Sequence, residues 1–172
     1  MNKEQKLVAV SAAGGGIAMI AGLIGLSRVM PSLPITADAG ERLAFAVKWL
    51  ALAAAPLFFA IMAIGTARFK SEAIDPTAGK ESRAMVINGR VVDNTLQQYA
   101  LFISSILAVA AGANGDQLGV VSAAAVIFVI ARFVFWIGYR IDPVYRAAGF
   151  ASTAYLNMIL FGTATWMAWR IT

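Results

Sequence analysis

Residues 90–111 read RVVDNTLQQYALFISSILAVAA, and the reading of this stretch decides the fold. From Val91 onward it is long and apolar enough to cross about 30 Å of hydrocarbon as one α-helix. Its polar residues are not scattered. Arg90, Asn94 and Gln97 stand at i, i+4 and i+7, which puts all three on one helical face. Leu101 and Phe102 carry the helix on into apolar territory, so the stripe is confined to one end. Polar side chains set that far into a span are expensive, and they normally face a bundle interior or a wet cavity and mark function. The next apolar run repeats the spacing, with Arg132 and Tyr139 at i and i+7.

Composition agrees with a membrane solvent. The 172 residues are 60% hydrophobic and 13% charged, with a mean hydropathy of +0.74, whereas a soluble domain carries roughly 25% charged residues. The chain reads as one all-α integral membrane domain, residues 1–172. A net charge of +5 would point to nucleic acid in a soluble chain. Here the basic residues sit in short segments between apolar runs, which is a topology signal, and nucleic acid is not an expected partner. There is no cysteine and no histidine. That excludes disulfides and thiolate nucleophiles, leaves no expected metal site, and removes the usual general base. Chemistry must come from Arg, Tyr, Asn, Gln, Ser or the few carboxylates.

Five runs are expected to span the bilayer: 7–29, 43–66, 91–111, 118–139 and 148–169. Pro31 and Pro34 close the first, and Gly112-Ala113-Asn114-Gly115-Asp116 turns the third back on the fourth as an antiparallel hairpin. One set of ends carries Lys3, Lys6, Arg68, Lys70, Lys80, Arg83, Arg90, Arg140 and Arg146; the other carries Arg28, Arg42 and Arg170. The positive-inside rule therefore predicts a multi-pass protein of the cytoplasmic (inner) membrane, N-terminus in the cytoplasm and C-terminus outside. The polar stripe then lies near the cytoplasmic face.

The first run exceeds the 7–15 residues of a signal-peptide core and is expected to stay as a helix. Gly14, Ala18 and Gly22 give it a face of small residues at four-residue spacing, suited to close packing in its own bundle or against a membrane partner. The loop over 67–89 mixes charges and reads as a lid over the cytoplasmic opening or as a hydrophilic linker. Pro56 is expected to kink the second span, Asn157 to bond across helices, and Lys48 to snorkel. Trp166 and Trp169 with Arg170 read as an interfacial anchor, and Tyr99 and Tyr155 as packing residues.

Arg132 lies too deep for a topology anchor and needs either a partner from another helix, with Asp93 the candidate, or a bound anion. Guanidinium groups at 90, 132 and 146 suit a ligand with carboxylates. Asn94 and Gln97 suit amides, and a tyrosine hydroxyl or an arginine can stabilise a thiolate. Together they describe a pocket for a small acidic peptide, and glutathione has the matching groups.

Arg90-x-x-x-Asn94-x-x-Gln97 with Phe102, then Arg132-x6-Tyr139 with Pro143, Arg146 and Gly149-Phe150, resembles the MAPEG family, the membrane-associated proteins of eicosanoid and glutathione metabolism. The resemblance covers residues 43–169, a four-helix transmembrane bundle. It leaves the first span, 7–29, as an additional N-terminal transmembrane helix. It implies a homotrimer with glutathione as cosubstrate between protomers near the cytoplasmic side. Arg90, Asn94, Gln97, Arg132 and Tyr139 would line that site, with Tyr139 and Arg146 near the thiolate and Arg140 competing for the last place. Gln97 stands where the family pattern usually has glutamate. Losing a charge-assisted hydrogen bond costs roughly 1.5–3 kcal/mol, about ten- to a hundred-fold in affinity.

Two functions follow from the resemblance. One is a glutathione-dependent transferase or peroxidase acting on lipophilic electrophiles dissolved in the bilayer. The other is a non-catalytic scaffold of the same fold that binds membrane lipids, lipophilic small molecules or a partner. Gln97 and the added first span favour the second.

Overall fold

Asn2 and Gln5 start the chain's first helix by exchanging hydrogen bonds, side chain to backbone, at 2.8 and 2.9 Å, so two otherwise orphaned donors are satisfied. This helix, α1, runs Lys3–Ser27 in the computed structural model, which describes residues 1–169. A second reciprocal cap, Asp38 with Glu41, starts α2 at Ala39–Ala53. α3 follows directly as Ala55–Phe69. The pair is one long rod with a hitch at Ala54, two residues before the buried Pro56, where proline removes a backbone donor.

α4 is the long helix, Arg83–Gly112. It begins well before residue 91 because Ser82 Oγ accepts the Met85 N–H at 3.3 Å, and because Met85, Asn88 and Val91 already form a buried stripe. The polar connection shrinks accordingly to the residues between Phe69 and Arg83, tied by Arg68–Glu81 and Lys80–Glu72 ion pairs. A 3-10 turn, Gly115–Leu118, leads into α5, Gly119–Ile141, and α6 runs Ala147–Ala168. No strand occurs among the described residues.

Four of these segments are long and apolar enough to cross a membrane: Lys3–Ser27, Ala39–Phe69, Arg83–Gly112 and Gly115–Ile141. α6, expected as the fifth, has the length at 22 residues. Ser152, Thr153, Asn157, Thr163 and Thr165 interrupt its apolar run, which holds no Asp, Glu, Lys or Arg. Its Trp166 and Trp169 are exposed near the helix end, while Arg170 lies outside the described residues.

α1 packs on α6 and α5, and α4 packs on α6, α3 and α2. Of the small residues expected to seat α1, Gly22 packs inside the bundle and the other two do not. Gly14 has open space around it and Ala18 is exposed. Contact runs instead through Gly15, Gly16 and the buried Met19, with Gly22 against Ile127. A Cβ on Gly15 would collide with the Ala148 carbonyl, and Ser152 Oγ donates to the Gly15 carbonyl at 2.9 Å, so the two backbones touch as only glycine allows.

The apolar core lies in the half of the bundle where α1, α4 and α6 end. There Phe102 stacks on Phe128 with ring centroids 4.6 Å apart, among Leu118, Val121, Leu156 and Leu160. Tyr99 does more than pack, since its hydroxyl donates to the Leu50 carbonyl at 2.8 Å. Asn157 makes the expected crossing between helices, its Nδ2 donating to the backbone and side-chain oxygens of Gln98 at 2.9 and 2.8 Å. Arg42 donates to the carbonyls of Ala110 and Ala111 at 3.1 and 2.9 Å, capping the far end of α4.

Candidate functional site: an amphipathic cleft at one end of the bundle

At the other end of the bundle, where α1, α4 and α6 begin and α5 finishes, the helices part around a cleft of about 1000 Å³. That is the upper range of small-molecule sites. From α4 come Arg90, Asp93, Asn94 and Gln97. The end of α5 contributes Phe135 and Tyr139, and the α5–α6 connection contributes Pro143, Val144 and Arg146. Phe150, Ala151, Ala154 and Tyr155 floor it from α6, and Val8 and Ala12 of α1 close one side. Tyr155, expected only to pack, thus faces the cleft.

The helical repeat of α4 explains the polar wall: residues 90, 94 and 97 share one face, and that face lines the cleft. Arg146 is placed by the return of the chain after α5. Asp142 Oδ1 accepts the Val144 N–H at 2.8 Å, and the Asp142 carbonyl accepts the Tyr145 N–H at 3.0 Å, an Asx-type turn. The turn folds onto α5 at Gly138, where a Cβ would stand 2.6 Å from the Tyr145 carbonyl oxygen. The Arg146 guanidinium then sits over the Tyr139 ring, 4.9 Å from its centroid, within cation–π range. Arg140, one residue past Tyr139, does not line the cleft.

Arg132 is not a lining residue either. It is wholly buried beneath the polar wall, its guanidinium 4.0 Å from the Phe135 ring centroid. Its partners are neutral oxygens. Nε and Nη2 donate to Thr95 Oγ1 at 3.2 and 2.8 Å, Nη1 to Thr153 Oγ1 at 3.2 Å, and Nη2 also to Asn94 Oδ1 at 2.9 Å. Asp93, the partner expected from sequence, lies exposed on the cleft wall and has no bond to Arg132, because it is turned a helical step away from Asn94. Among the described residues, neither ion pair reaches Arg132.

Two consequences follow. The buried positive charge is uncompensated and adds its field to that of Arg90 and Arg146, so the cleft favours anions. And because Asn94 Oδ1 is occupied by Arg132, the amide offers its Nδ2 donor to a ligand.

Sequence reasoning found the wall but missed what holds it. Thr95 and Thr153 bind Arg132 from α4 and α6, and the Trp136 indole donates to the buried Asn88 at 2.9 Å. Threonines inside apolar runs carry little pattern of their own. Only the need of Arg132 for oxygens on neighbouring helices pointed towards them.

An all-helical bundle with membrane-length helices defines a polytopic α-helical membrane protein, here with a charged cleft between its helix ends. The chain belongs to the MAPEG family, whose family model matches residues 46–166. That match takes in the rest of α2 and all of α3 to α5, with α6 to Trp166, and leaves α1 outside. No curated protein and no solved structure matches the chain.

Proposed function

We propose that this protein is a membrane-bound, glutathione-dependent transferase or peroxidase acting on lipophilic electrophiles, assembled as a homotrimer. The observation that supports it is the convergence of Arg90, Asn94, Gln97, Tyr139 and Arg146 on one cleft whose remaining walls are apolar. Glutathione offers two carboxylates, two amides, an ammonium and a thiol. Arg90 and Arg146 supply fork donors for carboxylates or charge beside a thiolate. Asn94 and Gln97 supply amide hydrogen bonds, and Asp93 supplies a carboxylate for the ammonium. The Tyr139 hydroxyl, with Arg146 above its ring, holds the sulfur in its anionic form. No nucleophile is required of the chain, since the attacking sulfur belongs to the bound peptide.

Gln97 supports a second reading, a non-catalytic lipid- or partner-binding scaffold. At that position the cleft presents a neutral amide, so one charge-assisted contact is missing.

Glutathione conjugation of a generic electrophile by the purified protein separates the two. The transferase reading expects turnover that depends on glutathione and falls about ten- to a hundred-fold in kcat/KM on Arg90→Ala, the loss of a charged hydrogen bond. Absence of turnover in the wild type and in Gln97→Glu leaves the scaffold. Native mass spectrometry tests the trimer, and a stable monomer overturns it.

A further inference from the structure

The helix that lies outside the family match borders the cleft next to its most reactive-looking pair. Val8, Ala12, Gly15, Gly16 and Met19 recur at helical spacing on one face of α1. The far part of that face is closed on α6: Gly15 touches Ala148, Gly16 abuts the Tyr155 ring, and Met19 is buried. α1 and α6 run in the same direction from that seat. One turn back along α1, Ala12 comes level with the chain that enters α6 at Val144 and Arg146, and Val8 lies a turn further. All of these line the cleft, with Pro143. An apolar patch, Val8 and Ala12 from α1 facing Pro143 and Val144, therefore flanks Arg146 and Tyr139. Ala12 and Val8 are also small enough to leave room there.

We infer that α1 selects the second substrate: Val8 and Ala12 form an acceptor subsite that takes an unbranched alkyl chain attached to the carbon meeting the peptide sulfur. This rests on the glutathione reading above. In the step served, the sulfur forms a C–S bond to the β-carbon of an α,β-unsaturated carbonyl compound. The π electrons move to the α-carbon, which takes up a proton from water to replace the one the thiol released. The alkyl chain of that acceptor is the part that contacts α1.

The subsite can be measured without turnover. S-methyl-, S-propyl- and S-hexylglutathione, which mimic the product with increasing chain length, are titrated into the full-length protein in lipid nanodiscs. Affinity is expected to rise about two- to four-fold per methylene, as buried apolar surface requires. Ala12→Trp and Val8→Trp should flatten that rise, taken relative to each variant's own S-methylglutathione affinity, and retained binding of S-methylglutathione shows that the variants are folded. Val10→Trp, on the exposed face of α1, should behave as wild type and controls for partition into lipid. Should Ala12→Trp fail to fold, Ala12→Leu carries the same expectation with a smaller flattening. If S-methylglutathione binds but chain length has no effect, or the chain-length rise survives both tryptophans, the role of α1 is wrong and the glutathione reading stands. If the wild type binds no member of the series, the glutathione reading itself is wrong, and the subsite falls with it.

Discussion

Phe128 and Arg132 stand one helical turn apart on α5, both wholly buried, and they border two unlike interiors. Around Phe128 the contacts are rings and branched aliphatics, stacked on Phe102 and closed by Leu118 and Leu156. Such packing needs only shape, and in a membrane it is dispersion and fit that hold helices together. Around Arg132 the contacts are directional, one guanidinium gathering oxygens from α4 and α6. A charge that deep persists only when its donors are satisfied and something is gained from its field. The apolar half is thus a clamp that fixes the helices, and the polar half spends that rigidity on a site.

Substitutions should separate the halves. The largest effect on stability is expected from Phe128→Ala, about 3–5 kcal/mol for a large cavity, read as a drop in the thermal midpoint. Glutathione affinity of the folded fraction should stay near wild type. A matching loss of affinity would mean that the two interiors are one.

Arg132→Met should cost less stability, about 2 kcal/mol, because methionine fills the space while Asn94 and Thr95 lose their donor. Its glutathione affinity should nevertheless fall about tenfold, since Asn94 is no longer held and a nearby charge is gone. Arg132→Lys should not restore it, because an ammonium cannot span oxygens on two helices as the planar fork does. Full rescue by lysine would show that only charge matters.

Arg146→Ala should leave stability almost untouched, as an exposed residue, and lower glutathione-dependent turnover about tenfold or more. Arg140→Ala, off the cleft, should change neither, and this pair decides between the two arginines that the sequence alone left open.

These contrasts also mark what was legible beforehand. The stripe Arg90, Asn94, Gln97 was readable because a helix maps spacing onto faces, and the turn at residues 112–116 was readable from its glycines and asparagine. The start of α4 was not, because hydropathy sees lipid and not the Ser82 cap or the buried Asn88 beneath Trp136. On α1, Gly22 was legible as a packing residue, but Gly15 and Gly16 were not. Every residue of Gly14-Gly15-Gly16 is small, and the choice among them depends on where Ala148 and Tyr155 approach. Arg132 was recognised as needing partners, but its partners were two threonine hydroxyls and the Asn94 amide oxygen, which look neutral in any count of charge.

The most direct test of the cleft as an acidic-peptide site is thermal unfolding of the wild-type protein with and without glutathione. At a concentration about tenfold above Kd, binding to the folded state should raise the midpoint by about 3–6 °C, and Arg90→Ala should lose most of that rise at the same concentration. No rise at millimolar glutathione, in the wild type or in Gln97→Glu, would contradict the account.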